Sequence, residues 1–266
     1  MTIASTGNAA KPGPDRVWRN FIDWLPSAPV METPQPLFDA YRARLIAVGT
    51  PAATADEQMA IILRAMRTST DGWRVMFNSI YGASAPGFST QPSGLLVSTV
   101  EGRSPGRVLD VGMGQGRNAV FLAMRGWDVT GFDISDGGLR IANRNAARAG
   151  VKLKTEVNSI QAFALGHARW DLIVLTYEPA PLTTPAYVAD LAKALRPGGL
   201  VVVESFASDA DAVRRRPVDI DPQSLRRAFA TFRILHFEDV VAMPEWTKEK
   251  TRLVRLVAEK SSPKKP

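Results

Sequence analysis

The sequence predicts an α/β fold: a doubly wound, mostly parallel sheet with an antiparallel last strand, preceded by an N-terminal helical extension. Three observations predict it. From Arg107 onward, short apolar runs alternate with amphipathic segments, as in strand–helix units wound into one sheet. One run, residues 171–176, is apolar almost throughout, which suits a strand buried on both faces. Two late runs, 232–237 and 252–258, are joined by a stretch around Met243, Pro244, Glu245 and Trp246 that has no helical pattern. A parallel crossover normally contains a helix, so these two runs are expected to be antiparallel neighbours.

Taken in order, residues 1–16 read as a disordered tail, rich in small residues and proline. Residues 17–100 read as a helical cap. Leu37, Phe38, Tyr41, Leu45 and Val48 fall at helical spacing before Gly49, which can adopt the left-handed stop conformation. Thr54 is the expected cap of a second helix carrying Met59, Ile62, Leu63 and Met66 on one face. Thr70-Asp71 opens a third, with Trp73, Met76, Phe77 and Tyr81. Amphipathic helices without strands of their own should pack on a neighbour. Deleting residues 1–70 is therefore expected to harm turnover more than folding of the remainder.

Residues 101–260 read as the sheet domain, and 261–266 as a second tail. Within the domain, 108–111 is the first strand, 118–125 its helix and 128–132 the second strand, ending at Asp133. Ser135 or Asp136 can cap the next helix, which Gly150 stops. Val151, Leu153, Thr155 and Val157 alternate with polar neighbours as a half-exposed strand. Thr184-Pro185 and Asp221-Pro222 each supply a cap followed by a first-turn proline.

Composition narrows the function classes. The chain of 266 residues has no cysteine, which excludes disulfides, thiolate metal sites and a cysteine nucleophile. No apolar run reaches the length of a membrane span, and the N-terminus has no apolar signal core, so a soluble, cytoplasmic protein is expected. The net charge of +7 invites a nucleic-acid partner. Its arginines are scattered, however, and the dense run Arg214-Arg215-Arg216 sits in an expected loop without interleaved aromatics. A solvated basic surface is the favoured reading. A homodimer is allowed.

The densest chemical signal is Val108-Leu109-Asp110-Val111-Gly112-Met113-Gly114-Gln115-Gly116-Arg117-Asn118. A buried strand there delivers the chain to a turn where side chains vanish, so a ligand can approach the backbone and the N–H groups of the following helix. The glycines recur at every second residue, unlike the dinucleotide fingerprint. Asp133, closing the second strand, can accept both hydrogen bonds of a ribose diol, or it can merely cap the helix behind it.

These residues, with Gly126-Trp127-Asp128-Val129-Thr130-Gly131-Phe132-Asp133, Trp170-Asp171-Leu172-Ile173-Val174-Leu175-Thr176-Tyr177 and Leu195-Arg196-Pro197-Gly198-Gly199-Leu200, resemble successive motifs of class I S-adenosylmethionine (SAM)-dependent methyltransferases. The resemblance is to the tellurite-resistance-like and small-molecule group and covers about residues 73–260. It implies a Rossmann-like sheet and SAM as cofactor. Gly112 and Gly114 would pass close to the methionine part, with Asp110 near its ammonium; Gly116 and Asn118 complete that turn. Asp133 would hold the ribose and Ile134 would pack on the adenine. Asn158 or Ser159 stands where relatives use an aspartate for the adenine amino group. Thr176 and Tyr177 would border the sulfonium, and Tyr81 would cover the cofactor unless it is simply an interface aromatic beside Phe77.

Attack on a sulfonium methyl needs alignment and water exclusion more than a base. Tyr177 and Glu178 are the candidate catalytic residues, Glu178 because it can orient or deprotonate an acceptor at the site edge. His167 and His236 lie in an expected loop and an apolar strand, and no cluster has metal-ligand spacing. Thr176-Tyr177-Glu178-Pro179 lacks the Asn/Asp-Pro-Pro-aromatic sequence by which relatives grip planar amino groups. A small-molecule acceptor methylated through oxygen, sulfur or a similar nucleophile is therefore expected. The rival readings are a non-catalytic SAM-binding sensor or scaffold, a nicotinamide oxidoreductase and a nucleic-acid methyltransferase.

Overall fold

The computed structural model describes residues 12–29, 31, 34–66, 69–83, 87–209, 218–244 and 250–261. The runs Arg214-Arg215-Arg216 and Glu245-Trp246, most of the expected N-terminal tail and all of the second tail except Ser261 lie outside them.

Seven strands form one sheet in the order β3-β2-β1-β4-β5-β7-β6. They are β1 (Arg107–Val111), β2 (Asp128–Asp133), β3 (Lys154–Val157), β4 (Trp170–Thr176), β5 (Leu195–Phe206), β6 (Arg233–Ala242) and β7 (Thr251–Glu259). Pairing is parallel from β3 through β5, and β7 runs antiparallel to both β5 and β6. The antiparallel late pair thus forms as expected from a joining sequence without a helical pattern. Strand order reverses between β1 and β4, so the crevice at their carboxyl ends is where a ligand belongs in such a sheet.

Side chains alternate between two apolar layers. Leu109, Ile173, Leu175, Val201 and Val203 face α8 (Pro185–Ala194) and α9 (Pro222–Ala228), while Val108, Leu172, Val174 and Val202 face α6 (Arg117–Ala123) and α7 (Asp136–Arg148). Every one of these strand residues is essentially inaccessible, and each contributes about 1.5–3 kcal/mol of burial.

Among the described residues four α-helices make up the cap: α1 (Pro14–Trp24), α2 (Pro34–Ala47), α3 (Ala52–Ala65) and α4 (Thr70–Tyr81). Helix α1 begins inside the expected tail, because Pro14 takes the first-turn position its fixed φ suits and Asp15 follows near the positive end. Residues 14–16 are therefore helical. Helix α3 starts from Pro51, and Thr54 lies in its first turn instead of capping it. A fifth helix, α5 (Gly94–Val100), falls within the segment read as cap but buries Leu96 and Val100 against the sheet, so it belongs to that layer.

The cap helices share one core, in which Phe21, Tyr41, Ile62, Met76 and Ile80 pack together with Tyr177, Phe206 and Leu253 of the sheet. No described helix is long and apolar enough to cross a membrane.

Candidate functional site

Strand β1 ends in a turn at Gly112 and Gly114, both with left-handed backbone (φ +64° and +51°). A side chain at Gly112 would run into the Glu178 carboxyl, and one at Gly114 into the Tyr81 hydroxyl. The turn is therefore bare on the side that faces the cap, where ligand approach requires it. Gly116 differs from the expectation that it contacts cofactor. A Cβ there would meet the Ala142 methyl at 2.8 Å, so its bareness lets α6 and α7 pack.

Asp133 ends β2 and is 7% exposed. Its Oδ2 accepts the Gly114 N–H at 2.8 Å and its Oδ1 accepts the Ser135 N–H at 2.8 Å. A carboxylate has about four acceptor sites, so further lone pairs remain for a ligand. The helix behind it does not need Asp133 as a cap, because Ser135 Oγ accepts the Gly138 N–H of α7. Burial raises the Asp133 pKa to about 6, against the lowering effect of N–H donors from Ser135, Gly114 and Ile134.

Asp110 is 1% exposed, and its Oδ2 has no hydrogen-bond partner. Its pKa is pushed up to about 7, chiefly by burial, with Arg117 opposing and Asp133 reinforcing. An orphaned buried carboxylate oxygen is costly, and a donor reaching it would relieve that cost.

Gly112 and Asp133 border a cavity of about 680 Å³, counting its open mouth and the solvent in it. The cavity brings together Tyr81, Gly112, Asp133, Ile134, Asn158, Thr176, Tyr177 and Glu178, and Phe132 and Ile160 add apolar surface beside Ile134. Its outer wall comes from the cap, through Met66, Ser69, Thr70, Trp73 and Phe77. Trp73, Phe77 and Tyr81 form a stacked ladder along α4, with centroid spacings of 5.4 and 6.2 Å. Asn78 Oδ1 accepts the Ser135 hydroxyl at 2.7 Å and the Gly137 N–H at 3.2 Å, pinning α4 to the same corner as Asp133.

Asn118 and Ser159 are placed otherwise than expected. Asn118 accepts the Ser93 N–H at 2.9 Å and donates to Thr176 Oγ1 at 3.1 Å, so both ends of its amide brace protein and neither faces the cavity. Ser159 lies off the cavity wall, where Gln161 stands instead. Asn158 does line it, although its Oδ1 already accepts the Ser159 N–H and its Nδ2 donates to Glu156.

The candidate catalytic pair divides. Tyr177 has left-handed backbone (φ +57°) and is 2% exposed. Its N–H donates to the Glu204 carbonyl at 2.7 Å, and its hydroxyl donates to Glu204 Oε1 at 2.9 Å. The Ser93 hydroxyl donates to Glu204 Oε2 at 2.9 Å, and Arg255 stands 3.4 Å from Oε1. The Tyr177 hydroxyl is thus committed to holding the turn and is not available as a base. Glu178 instead directs its carboxyl over Gly112. Burial and the neighbouring Asp133 and Asp110 charges hold its pKa well above the usual carboxylate range. Sequence reading missed Ser93 and Glu204 because nothing local marks residues that meet only through tertiary contact. Among the described residues no acidic or histidine cluster could hold a metal ion.

Residues 108–199 match the family described as a methyltransferase domain. Over 168 residues the chain is 30% identical to Hemagglutinin 1 of Eikenella corrodens, covering 61% of this chain and 56% of that protein. Over 100 residues it is 34% identical to the ubiquinone biosynthesis O-methyltransferase of Azoarcus sp. strain BH72, covering 36% and 42% respectively. The chain thus spans about half the length of these relatives. Its fold is similar to the crystal structure of TehB from Haemophilus influenzae, with a TM-score of 0.55 at 20% identity over 71% of this chain and 67% of that one.

Proposed function

We propose that this chain is a class I SAM-dependent methyltransferase that transfers a methyl group from SAM to a small-molecule acceptor in the cytoplasm. The acceptor nucleophile in this reading is oxygen, sulfur or a similar atom. The observation that carries it is the bare Gly112–Gly114 turn beside Asp133, whose carboxylate retains acceptor capacity while Ser135 caps the helix.

The residues fit the cofactor. The turn presents backbone with no side chain of its own, and the orphaned Asp110 oxygen suits an ammonium donor. Asp133 suits a ribose diol, and Phe132, Ile134 and Ile160 offer apolar contact for a flat base, with Asn158 at its edge. Bound SAM supplies the activated methyl group. The protein's part is to align the acceptor under the Trp73–Phe77–Tyr81 wall and to exclude water, with Thr176 and Glu178 bordering the place of transfer. The named relatives include an O-methyltransferase of ubiquinone biosynthesis, which favours a small acceptor.

Calorimetric titration with S-adenosylhomocysteine (SAH) and with a nicotinamide dinucleotide tests the cofactor. Saturable binding of the first and none of the second is expected, and the reverse overturns the reading. Turnover of labelled SAM with a panel of phenols, thiols and carboxylates then separates an enzyme from a SAM-binding sensor.

A further inference from the structure

Three carboxylates lie close together at the cavity, Asp110 behind its wall, and Asp133 and Glu178 on it. Each of the first two has a ligand group to meet in the reading above, on which this inference rests. Glu178 has none. It projects from the end of β4, and a Cβ on Gly112 would meet its Cγ at 3.1 Å and its carboxyl more closely still. Among the described residues it makes no hydrogen bond or ion pair, and no Lys, Arg or His of the described chain lines the cavity with it. Asp133 and Asp110 both disfavour its charge. A part-buried carboxyl placed this way, with repulsive neighbours and no protein partner, is one that a cation entering the cavity would stabilise.

SAM carries two positive groups and SAH carries one, because methyl transfer takes the sulfonium charge away with the methyl. Asp110 accounts for the ammonium that both share. We infer that Glu178 is the counter-ion for the sulfonium, so that the site holds the charged methyl donor more tightly than the neutral-sulfur product. The pairing strengthens donor binding and favours product exchange. It does not lower the barrier, since the charge it stabilises disappears during transfer. Glu178 is thereby a specificity-determining residue for the donor, and not the base that its place at the site edge suggests.

The test is calorimetric, with SAM and SAH titrated into the wild-type chain and into Glu178→Gln. The wild-type chain should bind SAM about tenfold more tightly than SAH, a difference of about 1.4 kcal/mol. Glu178→Gln should bring the two affinities together by losing SAM affinity while SAH affinity stays within about twofold. The wild-type ratio also stands alone if the variant fails to fold: SAH binding as tightly as SAM overturns the inference. An unchanged ratio in a folded Glu178→Gln overturns it too, and leaves the methyltransferase reading intact. Failure of both ligands to bind the wild-type chain overturns that reading, and this inference with it.

Discussion

The sheet and the cap bury their side chains in different ways. Residues of β1, β4 and β5 alternate strictly between two layers, each completed by helices of the same αβ region. The cap has one core, and that core takes in Tyr177, Phe206 and Leu253 from the sheet. The sheet closes its own helix-covered layers, whereas the cap completes its core only by borrowing from the sheet. A segment whose core is completed by its neighbour is not a detachable lid. Deleting residues 1–70 is accordingly expected to damage turnover or substrate affinity more than folding of the sheet, because the core it removes also takes in Tyr177, which holds the site turn.

The largest test of this contrast compares Ile62→Ala in the cap with Ile173→Ala in the sheet, both fully inaccessible. Each should cost about 2–5 kcal/mol. If the shared core couples the two regions, differential scanning calorimetry will show one transition lowered in both variants. An early separate transition in Ile62→Ala alone would show a cap that melts independently.

A pH series sharpens the contrast at their junction. Asp110 and Asp133 have folded pKa values raised to about 7 and about 6, and Glu178 is raised as well. The folded chain therefore holds protons that the unfolded chain has released, and its ligand-free stability should fall as pH rises from about 4 toward 7. Each aspartate contributes at most about 2–4 kcal/mol to that fall, by order of magnitude. A cationic ligand group opposes it by favouring the charged carboxylates. The gap in melting temperature between SAH-saturated and free protein should accordingly widen between pH 5.5 and 7.5. A constant gap would mean that the carboxylates do not face the ligand.

The smallest expected effect comes from Asn78→Ala, which removes the acceptor joining α4 to Ser135 and Gly137. A loss of about 1–2 kcal/mol in stability is expected, with weaker SAH binding because the Asp133 corner loosens. Denaturant melts and calorimetry measure both. Unchanged affinity would show that the cap touches this corner without ordering it.

Much of the sheet was legible because its signals are local. Apolar alternation, Ser135 and Asp221 as caps, and the antiparallel pairing of β6 with β7 each follow from a few adjacent residues. The glycine turn and Asp133 were legible for the same reason. Gly116 and Asn118 misled because a motif shows that bare or polar residues gather, not which way each one faces. Pro14 was read as tail because a single short helix with little of its own to bury has a weak sequence signal, although its Val17 and Phe21 are fully covered by the cap core.

The order of elements, the left-handed turn and the acid at the end of β2 were determined by the chain alone, since backbone sterics and hydrophobic period act over a few residues. Tertiary structure decided the rest. Glu204 takes up the Tyr177 hydroxyl across 27 residues and the Ser93 hydroxyl across 111, and Glu178 meets Gly112 from a different strand. Burial, orphaned lone pairs and unbalanced charge are properties of what surrounds a group. They come into being only when the sheet and the cap close around the same cavity.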